Sequence, residues 1–504
     1  MEAKPKVRPE QPLTTLPDEE SRTPATALER YVPLVCWTMV LLSLLLIPLK
    51  IISYGFIPGG DARRHFAKVF TDKPYTDIVV MRPEYAMDHS PGWEWVLRFS
   101  HRLTGLNSDG LVSLSVVALL LFLFVLPLLW IRRPEAWLAA LLAELVAIPE
   151  LMTRFVQTRP YLISEGILIA LLFAWWKPGL NAPSWQKLLL TSIAFAASAW
   201  MHGAWYLWVL LLAAFVLAGH WRTVGWLTLC WIAGTFAGAL LTGQPVAFLE
   251  QAVAIARLIA NEHVPSWLLV GELSPSDGEF ATLALIAIVF LWRKNQNQNE
   301  ARLYCTPVLW LIAIGWISGF YADRFWADWG MPAVLVWLAM QFEEIMTRSL
   351  KAVSLKRLLV TGMIALPLFL DSTNDLDARY TQNFRESFLD ASDPNLKGWL
   401  PGSQGIFYCA QMQFFYNTFY KNPQADWRYI LGFEPALMRD EDLKILRSIQ
   451  RNPGDPRTYE PWIQKMLPAD RLVVYSPVQP ALPELEWHDA INNIWIGRLP
   501  GGHP

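Results

Sequence analysis

Between residues 33 and 370 the chain is a succession of apolar runs, several of which approach the ~20 residues that a helix needs to cross a bilayer. Counting shorter runs where the next loop is clear, about eleven spans are expected. They centre on 33–52, 111–131, 136–152, 160–176, 188–201, 204–219, 223–242, 280–292, 304–320, 329–342 and 358–370. The continuous stretch Leu188 to Gly219 is too long for one ordinary crossing, so it is divided at Met201-His202-Gly203. Left undivided, it would invert the topology downstream.

Composition agrees with a polytopic membrane protein. Of 504 residues, 53% are hydrophobic and only 17% charged, and 26 are tryptophans. A net charge of −2 provides no basic field to neutralise phosphates, so nucleic acid is not an expected partner. Cys36, Cys230 and Cys305 fall in apolar runs and Cys409 in the tail, which offers neither a disulfide framework nor a metal site. They read as structural thiols.

Orientation follows from basic residues in short loops. Arg132, Arg133, Lys177, Lys187, Arg222, Arg293, Lys294, Arg348, Lys351, Lys356 and Arg357 all fall on one side, which the positive-inside rule makes the cytoplasm. An odd number of spans then leaves the N-terminus inside and everything after Asp371 outside. Residues 1–30, rich in proline and charge, read as a disordered cytoplasmic leader, 31–371 as the transmembrane domain, and 372–504 as an extracytoplasmic domain. That last segment has β-like runs WRYILGF, DRLVVYS and NNIWIGRL and helical stretches near Phe407–Tyr420 and Asp440–Gln450, the pattern of a small α/β domain.

The first outer loop, Ser53 to Gly110, breaks the charge rule by carrying Arg63, Arg64, Lys68, Lys73, Arg82, Arg98 and Arg102. Either lipid headgroups or a phosphate-bearing substrate would explain them. Two amphipathic helices are expected here. In the first, helical spacing puts Asp61, Arg64, His65 and Lys68 on one face and Ala62, Phe66, Val69 and Phe70 on the other. The second starts at Ser90, a cap followed by Pro91, with Glu94, Arg98, His101 and Arg102 turned to headgroups or water. A third interfacial helix is expected over Val246–Ile259.

Charges in or beside apolar spans are costly, which makes them candidates for function. They are Glu144, Glu150, Arg154, Arg159, Glu165, His202, Asp323, Arg324 and Asp328. With Asp61, Arg64, His65, Arg82, Glu84, Asp88 and His89 they would line one outer cavity, carboxylates moving protons and arginines holding phosphate oxygens. Each also has a plainer reading. Asp61 after Gly59-Gly60 looks like a helix cap; Arg159 before Pro160 can snorkel; Arg324 between Asp323 and Asp328 can be a structural lock; His202 can be a packed histidine.

GGDARRHFAKV after the first span, HSPGWEWVLRF before the second, TRPYLIS opening the fourth and ADRFWADWGMP late in the bundle together resemble the GT-C superfamily of membrane glycosyltransferases. The resemblance covers the chain to about Leu370. It implies a sugar donor carried on a polyprenyl phosphate, Asp61 as the base toward the acceptor, and Arg159 and Arg324 on the lipid-linked phosphate. Many members carry two acidic residues close together after span one. This chain has Asp61 alone, with Asp72 next, so Glu84 is taken as the second carboxylate and no metal ligand or other cofactor is assigned.

The expected protein is thus an inverting glycosyltransferase of the inner membrane. It would move a sugar from a polyprenyl-phosphate donor to a polysaccharide, lipid or protein acceptor of the cell envelope. A non-enzymatic carrier or assembly protein for lipid-linked saccharides is the alternative. Carriers commonly show repeated halves, which this sequence lacks.

Overall fold

A single face of the first helix sets the pattern for the bundle. Along α1 (Val32–Ile52), Cys36, Val40, Leu44, Ile47 and Ile51 are buried, while Leu34, Leu41, Leu42, Leu45, Leu46 and Leu49 are exposed. An exposed apolar face of that length has lipid, not water, as its natural neighbour. The structure is a computed structural model that describes residues 29–177, 182–261, 264–268, 270–295 and 306–501. Apart from Glu29 and Arg30 the expected leader lies outside the described residues, as does Cys305.

The expected spans fall on helical segments, with a break in the one over 136–152. After α1 come α2 (Asp61–Val69), the single turn α3 (Tyr75–Ile78), α4 (Pro91–Thr104), α5 (Ser108–Val125), α6 (Pro134–Ala147), the short α7 (Leu151–Phe155) and α8 (Tyr161–Trp175). Then follow α9 (Trp185–His202), α10 (Val209–Leu217), α11 (Trp221–Leu240), α12 (Pro245–Ala260) and α13 (Phe280–Asn295). The set ends with α14 (Pro307–Gly319), the turn α15 (Asp323–Phe325), α16 (Met331–Ser349) and α17 (Leu355–Thr373). Among the described residues three helices, Val32–Ile52, Ser108–Leu129 and Trp221–Leu240, are long and apolar enough to cross a membrane by length and composition alone. The remainder are shorter or more polar.

The division of 188–219 holds. Helix α9 stops at His202 because Gly203 takes a φ of +71°, where a Cβ would stand 2.4 Å from the carbonyl of His89. The single span expected over 136–152 is instead broken. Pro149 drives Ile148 into an extended conformation, ending α6 at Ala147. Helices α9 and α11 approach closely where Gly234 and Gly238 face the carbonyls of Ser192 and Ala196, a small-residue seam with no room for a Cβ.

The basic residues used for orientation gather at one end of the bundle. Arg357 is bidentate to buried Glu135 at 2.7 and 3.0 Å, Arg133 donates to the carbonyl of Leu350, and Arg293 binds Gln341.

At the other end, two expectations are corrected. Helix α2 is not a surface helix turned to headgroups, whereas α4 does expose Trp95, Phe99, Arg102 and Leu103 along one side. Arg63, Arg64, His65 and Lys68 are all buried: α18 (Met412–Lys421) of the C-terminal segment covers Arg63, while Tyr75, Phe433 and Glu94 of α4 cover Arg64, His65 and Lys68. Glu94 is likewise buried on α4, and Ser90 occupies the cap position without a capping bond from its hydroxyl.

The C-terminal segment is built on a five-stranded mixed sheet, ordered β2-β1-β3-β5-β4. Its strands are β1 (Ile406–Cys409), β2 (Arg428–Tyr429), β3 (Arg471–Tyr475), β4 (Glu486–Ile491) and β5 (Ile494–Arg498). β1 pairs in parallel with β2 and β3, while β5 is antiparallel to β3 and β4. The hairpin turns on Asn492 and Asn493, both at positive φ, as a two-residue turn demands. Phe407 lies on β1, where the sequence pattern predicts a helix. A short, fully buried aromatic run does not reveal its period. The segment α19 (Asp440–Arg451) matches expectation. The first loop is stitched into this layer: Val79 bridges Tyr429, Val80 donates to the Tyr429 carbonyl at 2.8 Å, and Arg82 donates from its backbone to Leu437 at 3.0 Å.

Candidate active site

Opposite the basic end, a cavity of about 220 Å³ opens between the bundle and the C-terminal layer. Asp61 and Arg64 of α2, Arg159 and Tyr161 at the start of α8, His202 and Gly203 at the end of α9, and Arg324 line it. Ala252, Ile255, Ala256 and Ile259 of α12 make one wall apolar, and Tyr416, Phe433, Glu434 and Leu437 close the side of the C-terminal segment.

Asp61 does not act as a cap. Gly60 holds that position, and Asp61 is the first helical residue with its carboxylate turned along the helix. It is ion-paired with Arg64 one turn on, and its Oδ2 lies 3.5 Å from Nε2 of His65. Burial would push the Asp61 carboxyl up. The charges of Arg64 and Arg159 and the neighbouring His65 outweigh it and hold the group well below the usual carboxylate range. Asp61 is therefore ionised, with 24% of its side chain still open to the cavity.

Arg64 is fixed on its other side. It donates to the Tyr75 hydroxyl at 2.8 Å and lies over the Phe433 ring, 4.1 Å from its centroid. Gly60, at a φ of +62°, allows Arg159 close to the start of α2, since a Cβ there would be 3.2 Å from Nη2 of the arginine. Arg159 is ion-paired with Glu272, which fixes the direction of its guanidinium.

Arg324 sits on a turn followed by a π-helical stretch, Trp326–Gly330, that presents Asp328 back to it. Its Nε donates to Asp328 at 3.0 Å and its Nη2 to Nε2 of His202 at 2.8 Å. A guanidinium has no acceptor, so this ring nitrogen carries the lone pair and Nδ1 carries the proton toward Ser164, 3.2 Å away. Arg154 stands one layer behind. It pairs with Asp328, lies 3.7 Å from Glu165 and stacks on Tyr161. Among the described residues nothing hydrogen-bonds to Nη1 of Arg324 or Nη2 of Arg159, which leaves both donors to a ligand.

Of the residues singled out from sequence, the cavity brings together Asp61, Arg64, His89, Arg159, His202 and Arg324. His65 and Arg154 support it from behind. Two do not take part. Glu84 is exposed on the 3-10 turn Pro83–Tyr85, which removes its assignment as the second carboxylate. Arg82 is spent on the C-terminal layer, bonding the Met438 carbonyl and Asp440. The cavity's further carboxylates are Glu272 and Glu434, both missed. Glu272 had a faint signal, an acid in the loop after the amphipathic run that became α12; Phe433-Glu434 had none, because only tertiary packing brings them here. Glu144, another of the charges singled out, is buried in α6 with no hydrogen-bond partner among the described residues. Nor do those residues include a group of three or more His, Cys, Asp or Glu placed to hold a metal ion.

No protein-family model matches the sequence, and no curated protein does. The fold does have a solved counterpart, ArnT from Cupriavidus metallidurans, in a crystal structure bound to undecaprenyl phosphate. The TM-score is 0.52 at 13% identity, and the match covers 94% of this chain and 98% of that one. At this identity the likeness is one of fold. It agrees with the GT-C resemblance read from the four sequence motifs, and the likeness of fold includes the C-terminal layer.

Proposed function

We propose that this membrane protein is a GT-C-type glycosyltransferase that takes a sugar from a polyprenyl-phosphate donor and passes it to a cell-envelope acceptor. One observation carries the reading: an ionised aspartate faces a cavity that also holds three arginines and one apolar wall. A lipid-linked sugar phosphate has the matching parts. Its prenyl chain suits the Ile255 and Ile259 side, and its phosphate oxygens suit the free donors of Arg159 and Arg324. That the structural counterpart carries undecaprenyl phosphate supports this choice of lipid.

In this reading Asp61 takes the acceptor's proton as the nucleophile attacks the anomeric carbon. Arg159 and Arg324 stabilise the charge that develops on the departing phosphate, usually the largest single contribution to such a step. Glu272 is committed to Arg159 and Glu434 caps the turn Pro435–Leu437, which favours a single displacement with inversion over a double one. The cavity end would face the outside, with the basic end in the cytoplasm.

Purified protein in lipid nanodiscs, given a panel of polyprenyl-phosphate sugars, tests the proposal. Sugar released from the lipid and recovered on an added envelope fraction supports transfer. Donor binding without any loss of the lipid-sugar bond would favour a carrier instead.

A further inference from the structure

We propose that the proton collected by Asp61 leaves the site through His65 to Glu94, so that these two residues form a proton exit behind the base. The proposal rests on the reading of Asp61 as base. Its foundation is the placement of His65, which is fully buried on α2 with a carboxylate at each ring nitrogen. Nε2 lies 3.5 Å from Oδ2 of Asp61, and Nδ1 lies 3.9 Å from Oε1 of Glu94. Neither nitrogen has a hydrogen-bond partner among the described residues. A buried polar group left in that state costs about 1–3 kcal/mol, so an unsatisfied imidazole between two carboxylates calls for an explanation beyond packing. A sub-ångström closure on either side would complete a continuous path.

The groups around the path give it a direction. Arg64 and Lys68 of α2, Tyr75, and Asp88 and His89 of the following loop face it, with Asp72 and Arg98 further out beside Lys68. Burial and Arg64 lower the His65 ring from its ordinary value, against Asp61 and Asp88. Burial and Asp88 push the Glu94 carboxyl up to about 8, against the Tyr75 hydrogen bond, Lys68 and Arg64. Asp61 and His65 are both lowered while Glu94 is raised, so a proton that leaves Asp61 and reaches Glu94 has moved to the group of higher affinity. That move also answers a difficulty of the site, since so weak a base would otherwise return its proton.

The transfers balance. The acceptor's X–H bond breaks and Asp61 is protonated as the bond to the sugar forms. Asp61 gives that proton to Nε2 of His65, the ring releases the proton on Nδ1, and ionised Glu94 accepts it. Glu94 then loses it to solvent base, and rotation of the ring restores the starting tautomer.

The test is the pH dependence of turnover at saturating donor and acceptor. Wild type should rise about tenfold between pH 7 and pH 9 with a midpoint near 8, as Glu94 becomes able to accept. Glu94→Gln keeps the Tyr75 hydrogen bond but should be slow and flat over this range, and so should His65→Gln. Thermal unfolding of both variants shows that they are folded. Infrared titration without substrate should show a protonated carboxyl band, absent from Glu94→Gln, that disappears near pH 8. Transfer that needs Asp61 yet keeps its rate and alkaline limb in both variants overturns the exit alone. Transfer that survives Asp61→Asn, or no transfer by wild type at all, removes the premise and the exit with it.

Discussion

Arg63, fully buried on α2, is ion-paired with Glu386, a residue 323 positions away and beyond the last helix of the bundle. The same guanidinium bonds Asn417 of α18 and lies 4.8 Å from the Phe388 ring centroid. Asp61 therefore starts a helix whose position is set by the C-terminal layer. Arg63→Ala leaves the Glu386 carboxylate half-buried and uncompensated, a loss of about 3 kcal/mol. Thermal unfolding should shift down accordingly, and limited proteolysis should cut between α17 and β1 faster than in wild type.

Arg324 is expected to act on donor binding. Its replacement by alanine removes one charged donor to a phosphate, worth about 1.5–3 kcal/mol, or roughly a 10- to 100-fold rise in donor KM. Asp328 keeps Arg154, so stability should change little. Lysine should restore only part of the loss, since it lacks the fork that reaches His202 and a ligand together. An unchanged dependence of rate on donor concentration would remove this arginine from the donor site.

Glu94 links the site to stability. Its carboxyl titrates near 8 in the fold and at about 4.3 when unfolded, so between those values the folded state holds more protons. Stability from this group falls as pH rises through that window, and is fully present only below it. Wild type should lose more thermal stability between pH 6 and pH 9 than Glu94→Gln does. Equal losses would mean that Glu94 is ionised in the folded protein at neutral pH.

Gly203 separates α9 from the turn that leads into α10 and carries His202 to the cavity. Alanine there meets both a left-handed backbone and the His89 carbonyl, a strain of about 2 kcal/mol or more. Circular dichroism melts should place Gly203→Ala well below wild type. Gly219→Ala is the control, with positive φ but open space around it, and should cost less.

The division at Met201-His202-Gly203 was legible because it rests on local facts: a run too long for one crossing, and a glycine where the chain must turn. Asp61, Arg64 and His65 were legible as one face for the same reason, since helical spacing alone brings them together. What covers that face was not. Burial of Arg63 and Glu94 depends on α18 and Tyr75, which helical spacing within α2 and α4 cannot bring into view, and so α2 and the Glu94 side of α4 read as facing headgroups. Glu84 was chosen for its nearness in sequence. Glu272, from a loop after α12, reaches the cavity only through its ion pair with Arg159.

The most direct measurement is single-turnover sugar transfer by Asp61→Asn beside wild type, with the anomeric configuration of the product determined. Asparagine keeps the shape and can still accept from Arg64, but it takes no proton. The account predicts a folded variant whose transfer rate falls by about 10²- to 10⁴-fold, and an inverted product from wild type. Transfer by the variant within a few-fold of wild type, or a retained configuration, would contradict it.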